Sequence, residues 1–129
     1  MGIWVALILC IDDDAFYRGV LRQILEDGGH QVIEAAHGQE GLDSFEQRRP
    51  DLVVTDMRMP GFDGGEVIRR LRQMSESVRI LAVSGAMTAD SAAWLQNAHE
   101  VGANGILSKL GPLDQILAAI DRVLGLPPS

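Results

Sequence analysis

The chain has 129 residues, 47% of them hydrophobic and 22% charged, with a formal net charge of -7. That length fits one well-buried domain, and the balance is globular rather than that of a disordered segment or a disulfide scaffold. The acidic excess, with no cluster of Lys and Arg, excludes a general phosphate-backbone binder.

The first apolar run, VALILCI from Val5 to Ile11, reads as a buried strand and drives straight into Asp12, Asp13 and Asp14. Extended back to Ile3 it is nine residues, IWVALILCI, too short to span a membrane and without a signal peptide's basic start and cleavage site. Met1-Gly2 is followed by Ala6 where a myristoylation signal needs Ser or Thr. Cys10 is the one cysteine, which predicts a small buried hydrophobe in a reducing, cytoplasmic setting.

Helical spacing follows at Phe16, Val20 and Ile24 with Leu21 and Leu25, then a strand QVIEAA, then Leu42 with Phe45. The strand DLVVTD ends on Asp56, and Val67, Ile68, Leu71 and Met74 predict the next helix, entered through the glycines between Gly61 and Gly65. RILAVSG carries Ser84 at its end; Leu95, Ala98 and Val101 mark a fourth helix. GILSK ends on Lys109, and Leu113, Ile116, Leu117, Ile120, Val123 and Leu124 form the clearest helical face, with Pro112 predicted at its first position. The chain reads as a single domain over 1–129, its core at about 5–124, with 125–129 a tail or the start of a linker.

Five strands alternating with five helices predict right-handed crossovers and a parallel sheet covered on both faces, which is why the strands are continuously apolar. The expected fold is α/β: a (βα)5 flavodoxin-like three-layer sandwich of strand order 2-1-3-4-5, with its ligand site beyond the carboxyl ends of the strands. Asp12, Asp13, Asp56, Ser84 and Lys109 all fall on that edge. Two carboxylates about 4 Å apart repel by about 4 kcal/mol at an effective dielectric near 20, so they need a cation or a proton. Carboxylate oxygens without His or Cys at ligand spacing favour Mg2+, or Mn2+, over zinc. Lys109 adds a compact positive charge for a carboxylate or a phosphoryl group. Asp14 is read instead as the cap of the following helix.

The segments CIDDDAFYR, DLVVTDMRMPGFDG, AVSGAM and GANGILSKLGP, in that order, make residues 5 to 124 resemble the receiver domain of two-component response regulators. The resemblance implies that Asp56 is the phosphoacceptor, that Asp13 ligates Mg2+ directly and Asp12 through water, and that Arg58 offers its backbone carbonyl to the metal. It implies that Ser84 binds the phosphoryl group and that Lys109 contacts it. It also implies a cytoplasmic phosphoprotein that catalyses its own phosphorylation and dephosphorylation. A sensor histidine kinase or histidine phosphotransfer protein would be its donor. An unknown downstream protein would read the surface around the fourth helix, fifth strand and fifth helix, with no role for nucleic acid or membrane.

Three departures qualify that picture. The lysine is followed by Leu110, with proline delayed to Pro112, so a trans Lys109-Leu110 bond and an altered loop are expected. Ile106 replaces the usual fifth-strand aromatic, and Ser84 to Lys109 is a few residues longer than usual. Trp94 is read as half-buried, with partner contact as the alternative. His30, His37 and His99 are not expected to serve as relay or metal residues. Two other classes stay open: a pseudo-receiver that binds partners without phosphorylation, and a Mg2+-dependent phosphatase with an aspartate nucleophile. The second needs another Asp where Arg58 stands.

Overall fold

The computed structural model describes residues 5–59, 64–85 and 96–125. Its strands are β1 (Leu7–Ile11), β2 (Gln31–Ala35), β3 (Leu52–Asp56), β4 (Arg79–Ser84) and β5 (Gly105–Ser108). They pair in parallel in the order β2-β1-β3-β4-β5. The helices are α1 (Ala15–Asp27), α2 (Gly38–Arg48), α3 (Gly64–Met74), α4 (described over 96–101) and α5 (Asp114–Leu124).

Strand periodicity sorts the core into two layers. Ile8, Cys10, Leu52, Val54, Leu81 and Val83 point to one face, where Leu21 and Leu25 of α1 and Ile116 and Ile120 of α5 cover them. Leu9, Ile11, Val53, Ile80 and Ala82 point to the other, under α2, α3 and Ala98 of α4. Every residue of β3 is buried, as the middle strand of a two-sided sandwich must be. The three-layer sandwich and its strand order are those expected from the sequence.

Helix phases differ in two places. In α1 the Asp14 side chain accepts from Phe16 N at 3.0 Å and Tyr17 N at 3.2 Å, and this cap fixes the first turn. Tyr17, Leu21 and Leu25 then face the sheet, while Phe16, expected on that face, is 81% exposed. In α5 the first helical residue is Asp114, two positions after Pro112, and Leu113 is exposed rather than packed. Pro112 instead opens the turn that leads into α5, its carbonyl accepting from Gln115 N at 3.1 Å.

Of the glycines expected to permit a tight turn before α3, Gly64 is the first residue of the helix itself. A Cβ on Gly64 would lie 2.4 Å from the Asp56 carbonyl oxygen and 2.6 Å from Met57 Cα, so only glycine lets α3 start this close to the end of β3. Gly61 lies outside the described residues.

At the opposite edge, beneath the amino ends of β4 and β5, Arg72 gathers the chain. Its guanidinium donates to Gly102 O at 3.0 Å, Glu76 O at 3.1 Å, Val78 O at 2.6 Å and Asn104 Oδ1 at 2.8 Å. Asn104 Oδ1 also accepts from Ile80 N at 2.8 Å. Gly102 has a φ of +119, and a Cβ there would press on Arg72 Cγ at 3.0 Å. Because charge-assisted bonds to carbonyls are worth more than neutral ones, Arg72→Ala is expected to lower stability by about 1 to 2 kcal/mol in urea unfolding. Lysine at the same position should recover less than half of that, since an ammonium cannot reproduce the planar fork.

Candidate functional site

The β1 to β3 register pairs Ile11 with Thr55, so the next residues, Asp12 and Asp56, come side by side at the carboxyl edge. The β4 to β5 register pairs Ser84 with Ser108 and brings Lys109 to the same mouth, its backbone N–H donating to Ser84 O at 2.9 Å. Topology thus assembles what the sequence separates.

Asp12 and Asp56 are buried and Asp13 is exposed; one carboxylate oxygen from each lies within 4.8 Å of the others. Lys109 Nζ bridges the buried pair, 2.6 Å from Asp12 Oδ2 and 3.3 Å from Asp56 Oδ2. Each acid is oriented by the backbone as well. Asp12 Oδ1 accepts from Asp14 N at 2.9 Å, and Asp56 Oδ1 accepts from Arg58 N at 3.2 Å. The Asp12 carbonyl accepts from Arg18 Nη1 at 2.6 Å, and Arg18 and Arg22 both grip Glu34 of β2, at 3.0 and 2.6 Å. The loop that carries Asp12 is therefore tied to the edge strand.

Burial, then the neighbouring Asp12 charge, pushes the Asp56 carboxyl up from 3.8 to about 6, against the pull of Lys109 and Arg58 N–H. For Lys109 burial works downward, but hydrogen bonding and charge from Asp12 and Asp56 outweigh it and hold the ammonium above its usual range. Cys10 is fully buried; desolvation, with Glu34 and Asp12 nearby, lifts its thiol to about 12, so it packs as a hydrophobe.

The donor set suits a hard divalent cation. Octahedral Mg2+ with oxygens at about 2.1 Å spans roughly 3 to 4.2 Å between ligands, so a group held within 4.8 Å needs only a small contraction. Lys109 lies against the Asp12 and Asp56 carboxylates of this same group and offsets part of their charge. The Ser84 hydroxyl is buried and makes no hydrogen bond among the described residues.

The structure thus brings Asp12, Asp13, Asp56, Ser84 and Lys109 to one edge. Arg58 is exposed there, joined to Asp56 through its N–H. Asp14 is the α1 cap, not a member of the acidic group. The Lys109-Leu110 peptide is trans, and Ile106 is 40% exposed. His30 Nδ1 accepts from Ala6 N at 3.1 Å and His37 Nδ1 from Glu40 N at 3.3 Å, both serving the fold. Trp94 and the extra length after Ser84 lie outside the described residues. Sequence reasoning missed Tyr17, whose ring lies under Lys109, and Arg18. The spacing Tyr17, Leu21, Leu25 carried the signal for the first.

The family model described as the response regulator receiver domain matches residues 8–121. Sporulation initiation phosphotransferase F of Bacillus subtilis is 33% identical over 119 residues, covering 92% of this chain and 94% of that protein. Chemotaxis protein CheY of the same organism is 33% identical over 118 residues, covering 91% and 96%. Among solved structures, the chemotaxis response regulator CheY4 of Vibrio cholerae superposes with a TM-score of 0.84 at 29% identity, covering 93% of this chain and 99% of that one. The chain belongs to the response regulator receiver family of two-component systems. Receiver domains are signalling switches rather than classical enzymes; histidine kinases phosphorylate them, and they bind Mg2+ at an acidic pocket. No helix among the described residues is long and apolar enough to cross a membrane.

Proposed function

We propose that this chain is a phosphoacceptor switch in which Asp56 takes a phosphoryl group from a phosphohistidine, with Mg2+ held by Asp13 and Asp56, by Asp12 through water, and by the Arg58 carbonyl. The observation that carries this reading is the Lys109 bridge between two buried carboxylates beside a third exposed one. An Asp56 oxygen attacks phosphorus, the N–P bond breaks as the O–P bond forms, and the donor imidazole leaves with the electron pair. The transition state is loose and charge-spread, so orientation by Arg58 N–H and neutralisation by Lys109 do most of this chain's work. Bound Mg2+ supplies further charge neutralisation at the transferring oxygens.

The product is an acyl phosphate, and its added charge of roughly 1.5 to 2, judged from other phosphorylated side chains, favours drawing the Ser84 hydroxyl inward. With Ile106 in β5 no aromatic rotation accompanies that step, so the readout around α4, β5 and α5 rests on the loop itself. The same site catalyses hydrolysis of the adduct, and residues 1–129 act as one cytoplasmic domain between a histidine kinase or phosphotransfer protein and a downstream protein.

Incubation with Mg2+ and a small acyl phosphate, followed by intact mass measurement, tests the assignment. A single phosphate adduct is expected, absent from Asp56→Asn and from metal-depleted protein. No adduct at any Mg2+ concentration would replace the switch with a phosphorylation-independent binding module.

A further inference from the structure

We propose that the ring of Tyr17 is a positioning residue for Lys109, holding its ammonium over the acidic pocket from below. The proposal rests on the phosphoacceptor reading above for its kinetic consequence, though not for its geometry. Lys109 Nζ lies 4.6 Å from the centroid of the Tyr17 ring, within the range at which a cation is drawn to the negative face of an aromatic ring.

A lysine head sits on a flexible four-carbon stem, so something other than the stem must fix it. On the chain's far side little among the described residues does so. The peptide to Leu110 is trans, Leu110 is 65% exposed, and the turn beyond closes through Ser108, whose Oγ accepts from Leu110 N at 3.1 Å and whose carbonyl accepts from Gly111 N at 3.3 Å. Support comes from the other side. The stem runs past Gly85, where a Cβ would lie 3.3 Å from Lys109 Cδ, and the head rests on Tyr17.

Tyr17 is itself rigidly placed. It is 8% exposed, packed in the layer of Cys10, Leu21 and Leu25, and its backbone N–H is held by the Asp14 cap. Its hydroxyl is buried and makes no hydrogen bond among the described residues, so the ring face rather than the hydroxyl meets the lysine. The ammonium is thus sandwiched between a π face and two carboxylates. When Asp12 is engaged elsewhere, Lys109 loses its 2.6 Å partner, and the ring still holds the head beside Asp56.

Two variants separate this role from simple packing. Tyr17→Phe keeps the ring and loses no hydrogen bond to the described residues; Tyr17→Leu keeps an apolar filling and removes the π face. The Lys109 Hε resonances, shifted upfield by the ring in the metal-free wild type and in Tyr17→Phe, are expected to return to ordinary values in Tyr17→Leu. Phosphorylation by a small acyl phosphate is expected to slow about tenfold in Tyr17→Leu, with the half-saturating Mg2+ unchanged, and to stay at the wild-type rate in Tyr17→Phe. Should Tyr17→Leu fail to fold, Tyr17→Met takes its place. Unshifted Lys109 Hε resonances in the wild type, or equal rates in all three proteins, would overturn the proposal. A rate loss in Tyr17→Phe as large as in Tyr17→Leu would overturn it too. Wild-type protein that takes no phosphate refutes the phosphoacceptor reading instead, and the resonance comparison still decides the placement of Lys109.

Discussion

Lys109→Met is expected to be the most damaging single change at the carboxyl edge, lowering metal-free stability by about 3 kcal/mol at about pH 8 in urea unfolding. The substitution preserves the stem and deletes a cation that touches both Asp12 and Asp56, leaving two buried like charges facing each other. Wild-type Lys109 is held above its usual range, so its contribution is fully present below the ordinary lysine pKa and is lost only as pH rises beyond it. The deficit of the variant should therefore be largest on the alkaline side of neutrality. It should shrink on acidification, as Asp56 takes up a proton, and shrink again with saturating Mg2+, which replaces the missing positive charge. A deficit unaffected by either acid or Mg2+ would mean that lost packing, not lost charge, is what the variant reports.

Asp56→Asn should move stability in the other direction. Raising the carboxyl from 3.8 to about 6 corresponds to roughly 3 kcal/mol of preference for the protonated form in the folded protein. A group raised in this way stabilises fully below 3.8, and that contribution is lost as pH climbs through about 6. Above that window the wild type carries the whole cost of a buried carboxylate, and the amide does not. The pull of the Lys109 contact at 3.3 Å is already contained in that raised value, so the net stabilisation is roughly 3 kcal/mol at about pH 8 without metal. The difference between variant and wild type should fade toward about pH 4. Thermal melts of both proteins across this range, read as a difference so that other carboxylates cancel, measure it. A constant difference would refute the raised Asp56.

Both effects arise from residues that the sequence already singled out, because the topology was legible. Runs such as DLVVTD are apolar on both faces, which a half-exposed strand is not, and their alternation with helices leaves one connection rule and one ligand edge. Once the order is fixed, Asp12, Asp56, Ser84 and Lys109 must meet. What was not legible depends on local phase and on shape. Phe16 and Tyr17 are adjacent aromatics, and which of them faces the sheet is decided by the Asp14 cap rather than by hydrophobicity. Gly64 looked like a turn residue because composition does not register that a neighbouring carbonyl lies where its Cβ would be. Leu113 fits the helical stripe of α5 in spacing, yet the helix begins one residue after it.

The Arg72 knot has a mechanical consequence. The chain leaves α4 through Gly102 to Asn104, and those residues are bolted to Val78 and Ile80 at the amino edge of the sheet. The carboxyl end of α4 therefore cannot slide without breaking several bonds at once. A displacement of that end is resisted by Arg72 and Asn104 together rather than by any one bond.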